Sequence, residues 1–327
     1  MTGISDKLAR VGYGLGWSMV CRLPENLAAS AFRFVADIAW RRQGPGIQVL
    51  ENNLRRVLGP EATGAELRAL SRESMRSYAR YWLEIFRLPV MPLERLLAGM
   101  HPHGEVHAAL EILAAGRGVI FALPHMGNWD QAGAWIINSG AGSFTTVMER
   151  IEPESVYEKF VAFREGLGME VLPASGGLRP SGILARRLRA GKLACLPCDR
   201  DVTGHGIEVE FFGEKARMMG GPAALAVQTG AALMPVVLWF EGDEWGCDVG
   251  PEVLVPATGD RKERIAVMTQ QVARFFEDGI RAHPQDWHML QRVFTADLDP
   301  ERLAAAQRRA AADNSADLLS GLAGDSQ

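Results

Sequence analysis

The chain has 327 residues, of which 47% are hydrophobic and 23% charged, and a formal net charge of −4. That composition is globular, long enough to bury a sizeable core, and gives no argument for nucleic-acid binding. Four cysteines do not make a disulfide framework, which points to a reducing compartment, and no apolar run reaches the roughly 18 residues that a membrane-spanning helix needs.

The charge is unevenly spread. Residues 1–60 hold eight Lys or Arg (Lys7, Arg10, Arg22, Arg33, Arg41, Arg42, Arg55, Arg56) against four acids (Asp6, Glu25, Asp37, Glu51). A local cationic excess in an acidic chain suits a segment facing anionic lipid. Arg10 and several glycines interrupt the first apolar run, so it does not read as a secretory signal. Residues 7–21 and 27–40, joined by the Leu23-Pro24-Glu25-Asn26 turn, predict two short apolar helices. Their Trp17, Arg33, Trp40, Arg41 and Arg42 suggest an interfacial hairpin, and the alternative is a helix pair packed on the core.

Residues 45–100 read as helical, with Thr63-Gly64-Ala65-Glu66 as the capping pattern of an amphipathic helix that runs to about Leu88, just before Pro89. From about 105 the texture alternates. Apolar runs lie at Val119–Leu123, Phe144–Met148, Glu170–Leu172, Leu193–Leu196, Glu208–Phe212, Leu233–Trp239 and Cys247–Val255. Helical segments fall at about 106–115, 130–138, 154–166, 179–190 and 220–229. This alternation predicts an α/β fold with a mostly parallel central sheet flanked by helices, preceded by the N-terminal apolar helical hairpin. An amphipathic helix is expected over 260–282, and the Ala-, Asp-, Arg- and Ser-rich residues beyond 296 read as a partly disordered tail. The expected division is 1–45 as interfacial helices, 46–295 as one α/β domain and 296–327 as the tail.

The chain is organised around Pro124-His125-Met126-Gly127-Asn128-Trp129-Asp130. The strand before it must stop at Pro124, which has no N–H to donate. Asn128 is a plausible N-cap, which puts Asp130 in the first turn of the next helix, where a carboxylate is favoured. On a continuous helix, residues five apart diverge by well over about 90°. Across a strand–turn–helix junction, Asp130 is expected to reach back to the His125 imidazole. An oriented histidine with an acid behind it, and no Ser or Cys nucleophile beside it, is the base half of an acyl-transfer site.

Leu196-Pro197-Cys198-Asp199-Arg200-Asp201 ends another strand, and Glu149-Arg150 ends a third. In a parallel sheet these ends share one edge, where ligands bind. Arg150, Arg164 and Arg200 near that edge suit an anionic ligand. Cys195-x-x-Cys198 lies within a strand and has no second pair, so it reads as structural, and His101-Pro102-His103 with His107 reads as a solvated helix start. No metal site is expected.

His125-x4-Asp130 after an apolar strand resembles the first motif of the glycerolipid acyltransferase superfamily. Asp199-Arg200-Asp201 followed by Phe211-Phe212-Gly213, then Gly220-Gly221-Pro222, Gly230-Ala231-Ala232 and Pro235-Val236-Val237, resembles the lipid A branch. Within that branch, four stretches are similar to the actinobacterial phosphatidylinositol mannoside acyltransferases: Gly16-Trp17, Arg76 to Trp82, Phe86 to Pro89, and Asp286-Trp287-His288-Met289. The resemblance covers about residues 10–295. The wider superfamily has a Glu in its third motif, where this chain offers Asp199.

The resemblance implies transfer of a long, palmitoyl-like acyl chain from acyl-CoA to a mannose 6-hydroxyl of a phosphatidylinositol mannoside, with acyl-CoA as co-substrate and no other cofactor. His125 would be the general base, Asp130 would hold its tautomer, and Asp199 would orient the sugar or the histidine. Arg164 and Arg200 would meet CoA phosphates or the developing oxyanion, and His205 and Gln228 would line the donor site. The expected partners are acyl-CoA, the mannolipid and the inner-membrane surface, with the protein peripheral on the cytoplasmic face. Two other readings stay open: the same chemistry on a lipid A-type acceptor, and an acyl-lipid-binding protein without turnover.

Overall fold

The structure is a computed structural model and describes residues 20–174, 180–201, 204, 206–301, 304 and 308. Most of the expected first N-terminal helix, including Trp17, lies outside the described residues, as do His205 and nearly all of the tail beyond 301.

Helix α1 spans Glu25–Arg41, α2 Pro45–Leu58 and α3 Gly64–Arg87. The capping pattern at Thr63 works as expected: Thr63 accepts from the Glu66 amide, and Glu66 reaches back to the Thr63 amide. Helix α1 packs on α3. Ala28 and Ala36 are buried, and Asp37 is clasped by Arg72 at 2.6 Å and Arg76 at 2.8 Å. Ala36 belongs to one apolar cluster with Ile47, Leu50, Leu54, Leu67 and Met75, so α1 shares a core with the helices that follow it. Trp40 is held against α3. Its Nε1–H donates to Ser71 at 2.9 Å, and the Arg68 guanidinium stacks on its ring at 3.8 Å. Leu27, Phe34 and Val35 point outward, each more than half exposed.

The remaining elements are α4 (Leu93–Ala98), β1 (Met100–Gly104), α5 (Val106–Ala114), β2 (Val119–Leu123), α6 (Trp129–Ile136), β3 (Phe144–Met148), α7 (Glu154–Gly166), β4 (Glu170–Pro173), α8 (Pro180–Arg189), β5 (Leu193–Pro197), β6 (Ile207–Phe211), β7 (Glu214–Met218), α9 (Gly221–Thr229), β8 (Ala232–Glu241), β9 (Glu244–Val249) and α10 (Arg261–Ala282). The central sheet has seven strands in the order β1-β9-β8-β2-β5-β3-β4. Every neighbouring pair is parallel except the β8–β9 hairpin, so the fold is α/β with a mostly parallel sheet, as the alternating pattern predicts.

Strand β2 sits between β5 and β8, with all five residues buried. Its side chains alternate between two cores. Ile120 and Ala122 join the cluster containing Leu188, Phe276 and Trp287, whereas Val119, Phe121 and Leu123 join Val106, Trp135 and Met234 on the other face. The sequence pattern misplaces two pieces. Met100–Gly104 is an edge strand paired with β9, not a helix start, and His101 meets Glu241 and Glu244 across that edge. The β6–β7 hairpin stands apart from the central sheet.

Candidate active site

The loop after β2 carries His125. Gly127 there has φ of 59°, and a Cβ at this position would lie 2.7 Å from the Leu238 carbonyl carbon, so only glycine lets the loop lie against β8. Backbone bonds fasten the loop to the segment after α10. Gly127 N–H donates to Asp286 O at 2.9 Å, and His288 N–H donates to His125 O at 2.9 Å. Asn128 caps α6 as expected, its side-chain oxygen accepting from the Gln131 amide at 3.0 Å.

The acid behind His125 is Asp199, not Asp130. His125 Nδ1 lies 2.6 Å from Asp199 Oδ1, and the His125 amide donates to Asp199 Oδ2 at 2.9 Å. Trp287 Nε1–H donates to the same Oδ2 at 2.9 Å. Asp199 is fully buried. Burial alone would raise its carboxyl pKa, but the His125 charge, both His125 donors and the indole outweigh it and hold the group below the usual carboxylate value. With Nδ1–H directed at a carboxylate, the ring presents Nε2 as its free base nitrogen. The His125 side chain keeps 25% exposure, so Nε2 is reachable.

Asp130 cannot hold the imidazole because its oxygens are engaged elsewhere. Arg164 grips it in a fork, Nε to Oδ1 at 2.6 Å and Nη2 to Oδ2 at 3.0 Å, and Tyr81 O–H donates to Oδ2 at 3.0 Å. The expectation of a first-turn Asp reaching back fails because α3 and α7 bring better partners to it. Burial would lower the Arg164 pKa, but Asp130 more than offsets it and raises the guanidinium above its usual value. Burial, then Asp130, pushes the Tyr81 phenol well up, so it stays a donor.

His125, Asp130, Arg164, Arg200 and Gln228 all line one cavity of about 760 Å³, within the roughly 300–1,000 Å³ of small-molecule sites. Much of its wall is apolar, including Phe121, Leu123, Trp135, Phe144, Met169 and Val236. The strand ends meet as the sheet argument requires: Glu149 after β3 and Arg200 after β5 both line the cavity and pair with each other at 2.6 Å. Arg150 turns away from that group to Glu154, at 3.3 Å. Asp201 bonds the Gly204 and Gly206 amides, so it shapes its own loop. Burial pushes the thiols of Cys195 and Cys198 far above the usual cysteine value, and both are free cysteines. Among the described residues, no group of three His, Cys, Asp or Glu is placed to hold a metal ion.

The structure adds Tyr81, Trp287 and His288 to the site. Their signal in the sequence was the aromatic-rich Arg76 to Trp82 stretch and Asp286-Trp287-His288-Met289, but neither stretch says what it touches. Phe211 and Phe294 stack at 6.0 Å, and Phe211 meets Trp287 edge-on at 5.9 Å, so the Phe211-Phe212-Gly213 turn props the indole that holds Asp199.

Residues 8–296 match the bacterial lipid A biosynthesis acyltransferase family. The chain is 46% identical over 309 residues to a phosphatidylinositol mannoside acyltransferase of Mycolicibacterium smegmatis, covering 92% of this chain and 96% of that protein. It is 47% identical over 306 residues to a phosphatidylinositol mannoside acyltransferase of Mycobacterium tuberculosis, covering 91% and 92%. With matches of this extent, and a His125 site at the sheet edge, the chain belongs to the bacterial lipid A biosynthesis acyltransferase family, within the group of the phosphatidylinositol mannoside acyltransferases.

Proposed function

We propose that this acyltransferase moves a long acyl chain from acyl-CoA to a mannose 6-hydroxyl of a phosphatidylinositol mannoside, with His125 as general base. The observation that carries the reading is the His125–Asp199 pair in the wall of a largely apolar cavity. Nε2 takes the hydroxyl proton as the sugar oxygen attacks the thioester carbonyl. The tetrahedral intermediate collapses, the C–S bond breaks, and the leaving CoA sulfur recovers the proton from the imidazolium. Asp199 stabilises that imidazolium through Nδ1–H. The acceptor oxygen is the nucleophile, so no acyl-enzyme forms.

The mannolipid acceptor is supported by the names of the two relatives, which cover most of the chain. We assign the CoA phosphates to Arg200, whose side chain is 20% exposed, ahead of Arg164, which is 14% exposed and committed to Asp130. Gln228 and His205 are assigned to the donor site with it.

Membrane docking is assigned to the outer stripe of α1, where Leu27, Phe34 and Val35 are 57%, 64% and 63% exposed beside Arg33, Arg41 and Arg42. An apolar stripe flanked by arginines suits the anionic inner-membrane surface on its cytoplasmic side. No helix among the described residues is long and apolar enough to cross a membrane.

The test is product analysis after incubation with labelled palmitoyl-CoA and a phosphatidylinositol mannoside. Label on a mannose 6-oxygen supports the reading. Label on a lipid A-type acceptor alone overturns the choice of acceptor, and label on neither overturns the reaction.

A further inference from the structure

His288 lines the same cavity as His125 but takes no proton in the transfer step. Its backbone N–H holds the His125 carbonyl at 2.9 Å. The residue is 6% exposed, and its ring lies among Tyr78, Tyr81, Trp129 and Phe240, with centroids 5.4 to 6.4 Å away.

Two neighbours fix the hydrogen on this ring. Ser77 O–H donates to Asp286 Oδ1 at 2.6 Å, and Ser77 Oγ lies 2.8 Å from His288 Nε2. A hydroxyl has one proton, and above the Asp286 pKa of about 6 the ionised carboxylate accepts that hydrogen bond. Ser77 must therefore accept from His288, which places the ring hydrogen on Nε2 and leaves Nδ1 with a bare lone pair. Nδ1 is buried and has no hydrogen-bond partner in the protein. Burial, then the nearby His125, pushes the imidazole pKa down to about 3, so the ring is neutral at physiological pH. A buried acceptor without a partner is uncommon, and it calls for a donor that the protein itself does not supply.

We infer that His288 Nδ1 accepts a hydrogen bond from a hydroxyl of the sugar acceptor and so positions that substrate against His125, while Ser77 and Asp286 hold the required tautomer. The inference rests on the hydroxylic acceptor proposed above and extends it to a specific contact. Trp129 lines the cavity beside both histidines, with its ring 5.6 Å from that of His125, which adds an aromatic face to this subsite.

The experiment is a steady-state comparison of His288→Phe, His288→Asn and Ser77→Ala with the wild type, using palmitoyl-CoA and a phosphatidylinositol mannoside in mixed micelles. His288→Phe removes both nitrogens and should raise KM for the mannolipid about tenfold or more, with KM for palmitoyl-CoA unmoved. His288→Asn restores an acceptor oxygen near Nδ1 and should recover most of that loss. Ser77→Ala frees the tautomer and should shift the mannolipid KM in the same direction by less. Equal shifts for both substrates, or no recovery with Asn, would mean a packing role and overturn the assignment. If His288→Phe does not fold, ring 15N NMR of the wild type decides: Nδ1 of His288 should move when methyl α-mannoside is added, and a fixed signal overturns the contact. A wild type that transfers nothing to the mannolipid removes the acceptor reading and this contact together. A wild type that transfers normally, beside a His288→Phe with an unchanged mannolipid KM, removes this contact alone.

Discussion

Asp199 accepts two hydrogen bonds from His125, one from the ring at 2.6 Å and one from the backbone amide at 2.9 Å. One carboxylate thus fixes both the loop that carries His125 and the tautomer of its imidazole. Trp287 supplies a third donor, so a fully buried charge is matched on both oxygens.

Asp199→Asn keeps the shape but offers one acceptor oxygen to these donors and turns an N–H₂ toward one of them. The ring is then driven to the wrong tautomer. We expect kcat to fall by about 1,000-fold or more while KM for both substrates changes little. A kcat loss of less than about tenfold would contradict the pairing.

Asp130 and Arg164 form a buried bidentate pair, so the cost of breaking it should exceed the cost of replacing it. Arg164→Ala leaves the Asp130 charge without its counter-ion and should destabilise the fold by about 3–5 kcal/mol in urea unfolding. Replacing both, as Asp130→Asn with Arg164→Met, should recover much of that loss, and additive losses would argue against coupling.

Burial pushes the Asp286 carboxyl up to about 6 from the ordinary 3.8, with Ser77, the Phe240 amide, Arg80 and Gln285 opposing that rise. The folded state therefore favours the protonated acid. Below the unfolded value the group is protonated in both states and contributes nothing. As pH rises from about 4 to above 6, its ionisation costs the folded state about 3 kcal/mol. Asp286→Asn does not titrate, so the variant should gain about that much stability relative to the wild type between pH 4 and 7. Unfolding free energies at the two pH values check this, and a difference that stays constant with pH contradicts it.

The outer stripe of α1 makes the membrane assignment testable without disturbing the core, because Leu27, Phe34 and Val35 are more than half exposed. Each apolar side chain that enters the interface contributes on the order of 1–2 kcal/mol, so changing all three to Ser should weaken binding to anionic vesicles by at least about tenfold. Thermal stability should hold. Unchanged vesicle binding would place the contact elsewhere.

Local signals carried much of the fold. Val119–Leu123 is a strand because it is a short apolar run that Pro124 must end, and Asn128 marks the next helix by its capping chemistry. Placing Asp199, Arg200 and Glu149 on one edge needed only the parallel-sheet rule. Partner choice was not legible. Asp130 is five residues from His125, yet the partner is Asp199, 74 positions away, because packing brings Arg164 and Tyr81 onto Asp130. His101-Pro102-His103 hid an edge strand, since Pro and His are weak strand formers and only the β9 partner reveals it. Trp287 and His288 were visible as a motif, but their contacts with Asp199 and Ser77 span 88 and 211 positions.

The most direct measurement is free-thiol release from palmitoyl-CoA, with and without a phosphatidylinositol mannoside, by the wild type and by His125→Ala. The account predicts release that depends on the acceptor and is lost in the variant, with the fold intact. Release at the same rate in both proteins, or release indifferent to the acceptor, would contradict it.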